Sequence, residues 1–266
     1  MMTNTIGFPG LGLEFTINRV AFTLFGREVY WYGLIIVLGL VLGTLIGVKN
    51  AKKIGLSADT VYDYLLYAIP ACVIGARIYY VATSWSDYKD NPVSVFYVWE
   101  GGIAIYGAVI AAILTLLIFC KVKKIAPYDM LDSCCIGLIL GQAIGRWGNF
   151  VNCEAYGTVT TLPWRMSIEE AGRILEVHPT FLYESLWNFV GFSLLLFLFY
   201  RNRTFPGKVF WTYLLWYGAG RFFIEGLRTD SLYVGNFRIS QIVAVLSVIV
   251  SVVMLVRLNK RKETQS

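Results

Sequence analysis

Charged residues are scarce in this sequence of 266 residues. They make up only 15% of the chain, whereas hydrophobic residues make up 57% and aromatic residues 16%. Soluble domains carry about a quarter charged residues, so this composition excludes an ordinary soluble domain. The sequence predicts an all-α polytopic membrane protein, because an α-helix satisfies its own backbone polar groups inside lipid. We expect a single integral membrane domain over residues 1–266.

Other residue types and signals are also missing. Histidine occurs once, at His178, and the five cysteines show no metal-ligand spacing. No metal-binding or nucleotide-binding motif is present, so we expect no cofactor, no bound metal and no nucleic-acid partner. The first residues lack the charged, apolar and small-residue regions of a signal peptide, and we expect none to be removed.

Seven apolar segments are each long enough to cross a bilayer as a helix, which takes about 20 residues. The fourth and sixth are the least apolar and contain Arg146 and Arg221. The predicted spans cover residues 31–49, 60–81, 102–120, 131–150, 180–200, 209–226 and 239–257.

Lysine and arginine residues orient the predicted spans. Thirteen of them lie in segments 49–59, 121–130 and 201–208 and in the tail from residue 257, and seven lie in the segments on the opposite side. Basic residues near the ends of spans favour the cytoplasm. We therefore expect the N-terminus outside and the C-terminus in the cytoplasm.

The outer segments are predicted to contain more than simple loops. Residues 15–31 alternate around Gly26 as in a short hairpin. Residues 85–99 combine tryptophan and tyrosine with Pro92, which suits the lipid headgroup zone. The longest outer segment, 151–179, predicts a small extracytoplasmic cap.

Three arginines, Arg77, Arg146 and Arg221, lie within predicted spans. A charged side chain costs about 2.5–3.5 kcal/mol at the bilayer centre on insertion scales, so such residues usually face a bundle interior or a cavity. For single residues there are alternatives: Arg77 could extend to the interface, and Arg221 could pair with Glu225 one helical turn later.

Further polar residues are expected at the same depth, in the outer half of the membrane: Tyr32, Tyr106, Asn149, Asn152 and Glu154. Guanidinium groups match phosphate geometry through paired donors, and a phospholipid headgroup is the anion available there. The sequence therefore predicts a lipid-phosphate site. The glycines at 141, 145 and 148 would allow close backbone approach and entry of headgroup and acyl chains between helices.

Five stretches resemble, in the same order, motifs of the bacterial prolipoprotein diacylglyceryl transferase family. The most specific is GRWGNFVNCEAYG at 145–157, which we call the signature segment and which matches the pattern Gly-Arg-x-Gly-Asn-Phe-x-Asn-x-Glu-x-x-Gly. The others are WYG at 31–33, GGIAIYG at 101–107, HPTFLYE at 178–184 and YGAGRFFIEGLRTD at 217–230. The resemblance covers the chain from about residue 30 to residue 257, including the seven spans.

The resemblance implies an enzyme that transfers the diacylglyceryl group of phosphatidylglycerol to the lipobox cysteine thiol of exported prolipoproteins. A thioether forms and glycerol phosphate leaves, which is the first step of bacterial lipoprotein maturation. The implied partners are phosphatidylglycerol, lipobox signal peptides and membrane lipids. The implied location is the bacterial cytoplasmic (inner) membrane, with the active site facing the extracytoplasmic side.

The resemblance also implies roles for individual residues, by matching position. Arg146 would bind the phosphatidylglycerol headgroup, and Arg221 would assist the phosphate or the leaving group. The implied catalytic residues are Arg146, Arg221, Tyr106, Glu154 and Asn149. The implied substrate-binding residues are Arg146, Tyr32, Gly157, Tyr217 and Asn152, with the two tyrosines at the rim of the site.

The chain departs from the family pattern at Tyr106, where the family usually has a histidine that is often assigned as the base for the thiol. A free thiol has a pKa of about 8.5, so activation is useful, and a neutral tyrosine is a poor base unless cations lower its pKa. We hypothesise that Tyr106 positions lipid or thiol by hydrogen bonding, while the arginines supply electrostatic stabilisation. His178 is expected to fix the start of the fifth span before Pro179, with catalysis as the alternative. Cys153 is expected to be structural.

Two alternative functions remain open. Intramembrane arginines also occur in transporters of anionic solutes, although no internal repeat relates the halves of this chain. A relative that binds lipid or signal peptides without catalysis is compatible with the substitution at Tyr106. Activity on a lipobox peptide would identify the enzyme, and solute flux in proteoliposomes would identify the transporter.

Overall fold

The computed structural model describes residues 3–170 and 172–265. Within these residues the chain forms seven α-helices, and each of them covers one predicted span. The bounds agree within a few residues, except that the last helix continues well past residue 257. The helices are α1 (Trp31–Lys53), α2 (Ala58–Thr83), α3 (Ile105–Lys123), α4 (Pro127–Asn152), α5 (Thr180–Arg201), α6 (Lys208–Leu227) and α7 (Ile239–Gln265).

Five helices of the described chain, α1, α2, α3, α5 and α7, are long and apolar enough to cross a membrane. Helices α4 and α6 have 26 and 20 residues, which is a spanning length, but each carries one arginine, Arg146 or Arg221, within its predicted span. The coarse prediction of a polytopic helical membrane protein is therefore confirmed. The count of seven spans stays a prediction.

Several helix ends follow from local sequence. The Ser57 hydroxyl accepts a hydrogen bond of 3.2 Å from the backbone N–H of Thr60 and so caps the start of α2. Pro127 occupies the first position of α4 and Pro179 directly precedes α5, where the missing N–H of proline costs nothing. Ser57, Pro127 and Pro179 therefore mark where α2, α4 and α5 begin.

Short strands add a β component, so the fold is mostly helical rather than all-α. The strands are β1 (Thr3–Phe8), β2 (Leu13–Asn18), β3 (Val20–Leu24), β4 (Arg27–Tyr30), β5 (Met166–Glu170), β6 (Arg173–Val177), β7 (Tyr233–Val234) and β8 (Phe237–Arg238). Four of them form one antiparallel sheet in the order β2-β1-β5-β6. One face of this sheet buries Ile6, Phe8, Met166, Ile168 and Val177 together with Phe181 of α5.

The sheet corrects two predictions about the outer segments. Strands β5 and β6 lie inside the predicted cap segment 151–179, but the N-terminal strands β1 and β2 complete their sheet. The predicted hairpin around Gly26 exists only over residues 20–30, where β3 pairs with β4 and Gly26 has φ of 75°. Residues 15–18 pair with β1 instead, because alternation along one strand does not specify its partner.

The described chain divides into two compact units. The first contains the residues up to Gly47 and from Asp132 onward, and the second contains Val48–Leu131. In the first unit, α1 and α4 approach closely at paired glycines: a Cβ on Gly43 would lie 2.7 Å from the carbonyl oxygen of Gly137. In the second unit, α2 and α3 cross in the same way at Gly75 and Gly107.

The three glycines of α4 that were expected to admit lipid all face α1. A Cβ on Gly141 would lie 3.4 Å from the carbonyl oxygen of Gly39, and one on Gly145 would lie 3.3 Å from Ile36. A Cβ on Gly148 would lie 2.7 Å from the ring of Tyr32. The expected close approach is therefore present, but it serves helix packing, as small residues do in membrane helices.

Candidate active site

A continuous series of seven polar side chains links three helices of the first unit. Each side chain ion-pairs or hydrogen-bonds with the next, from α6 through α5 to the end of α4 and the residues that follow it. In order, the members are Glu225, Arg221, Glu184, Arg146, Asn149, Glu154 and Asn152. Five of the seven belong to the predicted site, so the fold brings these five together.

Glu184 lies at the centre of the series, between two arginines. Its Oε1 accepts a hydrogen bond of 2.6 Å from Nη2 of Arg146, and its Oε2 accepts one of 3.2 Å from Nη1 of Arg221. The Glu184 side chain is only 4% exposed. A carboxylate so deeply buried depends on its ionic partners, because water cannot solvate it.

Each arginine divides its guanidinium group between two partners. Arg146 donates from Nη1 to the side-chain oxygen of Asn149 at 3.0 Å, in addition to its bond to Glu184. Arg221 pairs with Glu225 one helical turn further along α6, as the spacing predicts, in addition to its bond to Glu184. The side chains of Arg146 and Arg221 remain 21% and 17% exposed, so both are only partly buried.

A strained turn after α4 holds Glu154 against the series. Cys153 and Ala155 have φ of 52° and 57°, a region that residues other than glycine seldom adopt. Between them, the Glu154 carboxylate accepts a hydrogen bond of 2.8 Å from Asn149 and a longer one of 3.5 Å from Asn152. Backbone strain of this kind concentrates at functional sites, where the surrounding contacts maintain it.

Two tyrosines of the predicted rim lie beside the series. The ring of Tyr32 rests on Gly148, and it interacts electrostatically with Glu154 and Arg146. Tyr217 of α6 interacts with Glu184 and both arginines. Its ring stacks on Tyr213 with centroids 5.9 Å apart.

Gly157 has a backbone role. Its N–H donates to the carbonyl oxygen of His178 at 3.0 Å, and a Cβ there would lie 2.7 Å from the His178 side chain and 3.1 Å from the carbonyl oxygen of Leu227. Only glycine fits between these two segments. The residue thus ties the signature segment to the end of α6.

His178 takes part in contacts at the start of α5. Its Nδ1 lies 3.3 Å from the hydroxyl of Tyr183, and that hydroxyl accepts a hydrogen bond of 2.8 Å from Trp164. Because tryptophan is a donor only, the Tyr183 proton is available to Nδ1 of His178. These contacts fit the structural role expected for His178.

Arg77, in the second unit, donates hydrogen bonds to backbone carbonyl groups. Its guanidinium group donates four hydrogen bonds of 2.7–2.8 Å to the carbonyl oxygens of Ser94, Val95, Gly101 and Gly102. Arg77 is only 6% exposed. It therefore faces the protein interior, as expected, and orders the segment that leads into α3.

Tyr106 also belongs to the second unit. It is the second residue of α3, and its ring centroid lies 6.3 Å from that of Tyr79 on α2. The carbonyl groups bound by Arg77 are those of Gly101 and Gly102, a few residues earlier. Arg77 therefore orders the start of the helix that carries Tyr106.

We expect Arg77→Gln to lower the free energy of unfolding by about 3 kcal/mol, because it leaves buried carbonyl groups without donors. Thermal unfolding of the purified protein measures this change, and limited proteolysis should detect a loosened segment 85–102. Lys89→Gln is the matched control, since Lys89 is an exposed cation of the same segment. Equal melting temperatures for the two variants would contradict the role assigned to Arg77.

Cys153 contributes to packing. It lies against the buried face of the four-stranded sheet. Burial raises the pKa of its thiol, which depletes the reactive thiolate. Both observations fit the predicted structural role.

We expect Cys153→Ser to keep kcat/KM of any activity of this site within about twofold, because serine differs from cysteine by one atom of similar size. A transfer assay on purified protein, with an Arg146 variant as the inactive reference, makes the measurement. Complete loss of activity in folded Cys153→Ser protein would instead indicate a covalent role.

Two titratable groups near the signature have shifted pKa values. Burial and a hydrogen bond to Glu170 raise the pKa of Tyr156 to about 12, so its hydroxyl stays neutral. Two hydrogen bonds from Arg228, of 2.8 and 2.6 Å, lower the pKa of Asp230. At neutral pH, Tyr156 is therefore a donor and Asp230 an ionised partner of Arg228.

Sequence reasoning did not place Glu184 in the site. Glu184 ends the HPTFLYE stretch, so the motif contained a signal for it. A second signal was the charge balance: two arginines buried in one bundle require carboxylate partners. Glu225 was considered only as a neighbour of Arg221 along one helix, and it ends the series at α6.

Comparison with known proteins identifies relatives over most of the chain. The family model described as prolipoprotein diacylglyceryl transferase matches residues 19–257. The phosphatidylglycerol–prolipoprotein diacylglyceryl transferase of Finegoldia magna is 45% identical over 245 residues, which cover 92% of this chain and 97% of that protein. The enzyme of the same name from Clostridioides difficile is 46% identical over 247 residues, 93% and 98% of the two chains. That of Enterococcus faecalis is 43% identical over 250 residues, 90% of each.

Proposed function

This chain belongs to the prolipoprotein diacylglyceryl transferase family, and we propose that it transfers the diacylglyceryl group at the series centred on Glu184. It is a transferase that takes this group from phosphatidylglycerol and passes it to prolipoproteins. The observation that carries the choice of site is the pairing of two arginines, each within a predicted span, with one buried carboxylate. Intramembrane charges are costly and therefore usually functional.

The two guanidinium groups of the series suit a phosphodiester. The formal charges of Arg146 and Arg221 are balanced by those of Glu184 and Glu225, and Glu154 adds a third carboxylate to the series next to Asn149. The guanidinium groups of these two partly buried side chains carry paired N–H donors, the geometry that matches phosphate oxygens. Because Glu184 already orients both groups, the phosphate meets donors that need little rearrangement.

In the proposed reaction, the lipobox cysteine sulfur attacks the carbon of the diacylated glycerol that bears the phosphate ester. A C–S bond forms as the C–O bond breaks, and glycerol phosphate leaves with the bonding electrons and takes up the proton of the thiol. Arg146 binds the headgroup phosphate, and Arg221 stabilises the negative charge that develops on the leaving group. Asn149 accepts a hydrogen bond from Arg146 and so holds it in place, and Glu154 in turn orients the Asn149 amide.

The remaining predicted residues are assigned to binding. Tyr32 and Tyr217 flank the arginines, and we assign them to the rim that receives the lipid headgroup. Asn152 supports Glu154, and Gly157 keeps the signature segment close to the end of α6. These assignments rest on the contacts of each residue with the series.

We also propose the membrane arrangement in which this site works. The chain would form one integral membrane domain of the bacterial cytoplasmic membrane, with seven spans, the N-terminus outside and the C-terminus in the cytoplasm. The segment 151–179 would cap the extracytoplasmic face, where donor lipid and exported precursor are both present. The excess of basic residues in the segments assigned to the cytoplasm supports this orientation.

Tyr106 is proposed to position lipid or thiol by hydrogen bonding. We expect Tyr106→Phe to lower kcat about tenfold, because the ring is kept and one hydrogen bond is lost. Steady-state transfer kinetics on purified protein measure this change, and Tyr79→Phe, on the ring that Tyr106 contacts, is the matched control. Full turnover in Tyr106→Phe would exclude the hydrogen-bonding role.

The experiment that tests the function is glycerol phosphate release by the purified full chain, supplied with phosphatidylglycerol and a lipobox peptide. We expect release that requires the peptide cysteine and that Arg146→Ala abolishes. Arg173→Ala is the control for loss of a cation, because Arg173 is exposed on β6. Release that persists in Arg146→Ala would remove Arg146 from the site, and no release by the parent protein would favour binding without catalysis.

A further inference from the structure

Two tryptophans join α5 and α6 by a reciprocal contact. The indole N–H of Trp187 on α5 donates to the backbone carbonyl oxygen of Trp216 on α6 at 3.0 Å. In return, the indole N–H of Trp216 donates to the backbone carbonyl oxygen of Trp187, also at 3.0 Å. The two rings stack with centroids 4.5 Å apart and an angle of 22° between their planes. Each indole therefore satisfies its only donor on the backbone of the opposite helix.

Each tryptophan also rests on a glycine of the opposite helix. A Cβ on Gly220 of α6 would lie 2.2 Å from Nε1 of Trp187, and a Cβ on Gly191 of α5 would lie 2.4 Å from Nε1 of Trp216. Any larger residue would displace an indole ring. The contact thus consists of four residues, Trp187, Trp216, Gly191 and Gly220, which we call the tryptophan lock.

The lock lies next to the residues of the proposed active site. Trp187 follows Glu184 by three residues, about one helical turn, and Gly220 directly precedes Arg221. Glu184 and Arg221 meet across the same pair of helices at 3.2 Å. The lock and this ion pair therefore share one helix–helix interface.

We propose that Trp187 and Trp216 are positioning residues that fix the register of α5 against α6, so that Glu184 meets Arg221. This inference rests on the proposed function, because it assigns the lock a role in transfer. A shift by one residue rotates a side chain by about 100° around its helix, which would separate the two charged groups. In lipid, the hydrophobic effect does not hold helices together, so packing and interhelical hydrogen bonds set their register.

The test compares two lock variants with one control on the opposite face of α6. Trp187→Phe keeps an aromatic ring but removes a donor, and Gly220→Ala forces the Trp187 indole out of place. Gly218→Ala is the control, because its new Cβ would press on Ala244 and Val248 of α7 instead. Melting temperature and near-ultraviolet circular dichroism of the stacked indoles are recorded for every protein, together with steady-state transfer kinetics.

We expect both lock variants to lose the dichroism of the indole pair and to lower kcat about tenfold, with KM for phosphatidylglycerol within about twofold. At a comparable loss of melting temperature, Gly218→Ala should keep its kcat. Equal kcat losses in lock and control variants would show a merely structural role and overturn the proposal. The proposal would also be overturned if lock variants that have lost the circular dichroism of the indole pair kept an unchanged kcat.

A double-mutant cycle adds a second readout. Glu184→Asp retains the charge on a shorter side chain. When Trp187→Phe is added to Glu184→Asp, kcat should fall by less than about twofold further, because the ion pair is already misaligned. If Trp187→Phe instead lowered kcat of the Glu184→Asp variant by as much as it lowers kcat of the parent protein, the lock would act independently of Glu184. That result would overturn the proposal. If the parent protein shows no transfer at all, the proposed function fails instead, whatever the state of the lock.

Discussion

Glu184→Gln is expected to lower kcat for diacylglyceryl transfer about 100-fold, the scale of losing one preorganised electrostatic contact. Glutamine has nearly the shape of glutamate but lacks its charge. The side chain would no longer draw Nη2 of Arg146 and Nη1 of Arg221 toward one point, where they now lie 2.6 and 3.2 Å from its two oxygens. Steady-state kinetics on purified protein, with phosphatidylglycerol varied at saturating peptide, measure the change.

The Glu184→Gln variant also tests whether Glu184 orients the two arginines or contributes to the binding of phosphatidylglycerol. Removing the carboxylate also removes a competitor for the arginines, so KM for phosphatidylglycerol should stay unchanged or fall. A rise in KM with unchanged kcat would contradict the assigned role, because it would show that Glu184 acts only in lipid binding. Burying two less compensated cations should also lower the free energy of unfolding, by about 3 kcal/mol.

Glu176→Gln provides the matched control for Glu184→Gln. Glu176 also pairs with an arginine, since Nε of Arg165 lies 2.7 Å from its Oε2, but the Glu176 side chain is 40% exposed. An exposed ion pair contributes about 0–1 kcal/mol, so this variant should match the parent protein in activity and nearly so in stability. An equal loss of kcat in both variants would show that the effect of Glu184→Gln is not specific to the site.

The helices could be predicted from the sequence because lipid imposes a simple rule. A spanning segment needs enough consecutive apolar residues, and its backbone must be helical, so length and hydropathy together decide the structure. Residues 180–200, for example, became α5 at Thr180–Arg201. The end of α7 was less predictable, because its polar residues after 257 continue a helix beyond the apolar segment.

The four-stranded sheet could not be predicted, because its pairing joins distant parts of the chain. Ile6 of β1 pairs with Ile168 of β5 across more than half of the sequence. Local alternation identifies a strand but does not name its partner, and a two-stranded hairpin was the nearest choice available. The buried face that unites β1 with β5 decides this pairing, and it exists only in the folded protein.

The candidate site was predictable in part, for a related reason. Arg146, Asn149, Asn152 and Glu154 lie close together in the chain, and their motif identified them. Glu184 lies 38 residues from Arg146 and 37 from Arg221, and its importance comes from bridging them. A bridging residue is recognised by geometry, whereas a motif records only residues that are neighbours in sequence.

Replacing Arg146 or Arg221 with lysine is expected to separate headgroup binding from leaving-group stabilisation. Lysine keeps the positive charge but lacks the planar, paired N–H donors of the guanidinium group. Arg146 joins Glu184 and Asn149 through two different nitrogens, and Arg221 joins two carboxylates in the same way. The three donors of an ammonium group radiate from one nitrogen, so they do not reproduce the planar guanidinium that spans both partners. Arg146→Lys should raise KM for phosphatidylglycerol about tenfold, since this side chain is assigned to the headgroup.

Arg221→Lys should instead lower kcat about 100-fold with KM within about twofold, because stabilisation of the leaving phosphate matters only in the transition state. Arg165→Lys is the control, since that arginine forms the exposed pair with Glu176. If both site variants changed only KM, the two arginines would be equivalent ligands of the bound lipid. Leaving-group stabilisation would then have to come from another residue, and the assignment of Arg221 would fail while that of Arg146 stood.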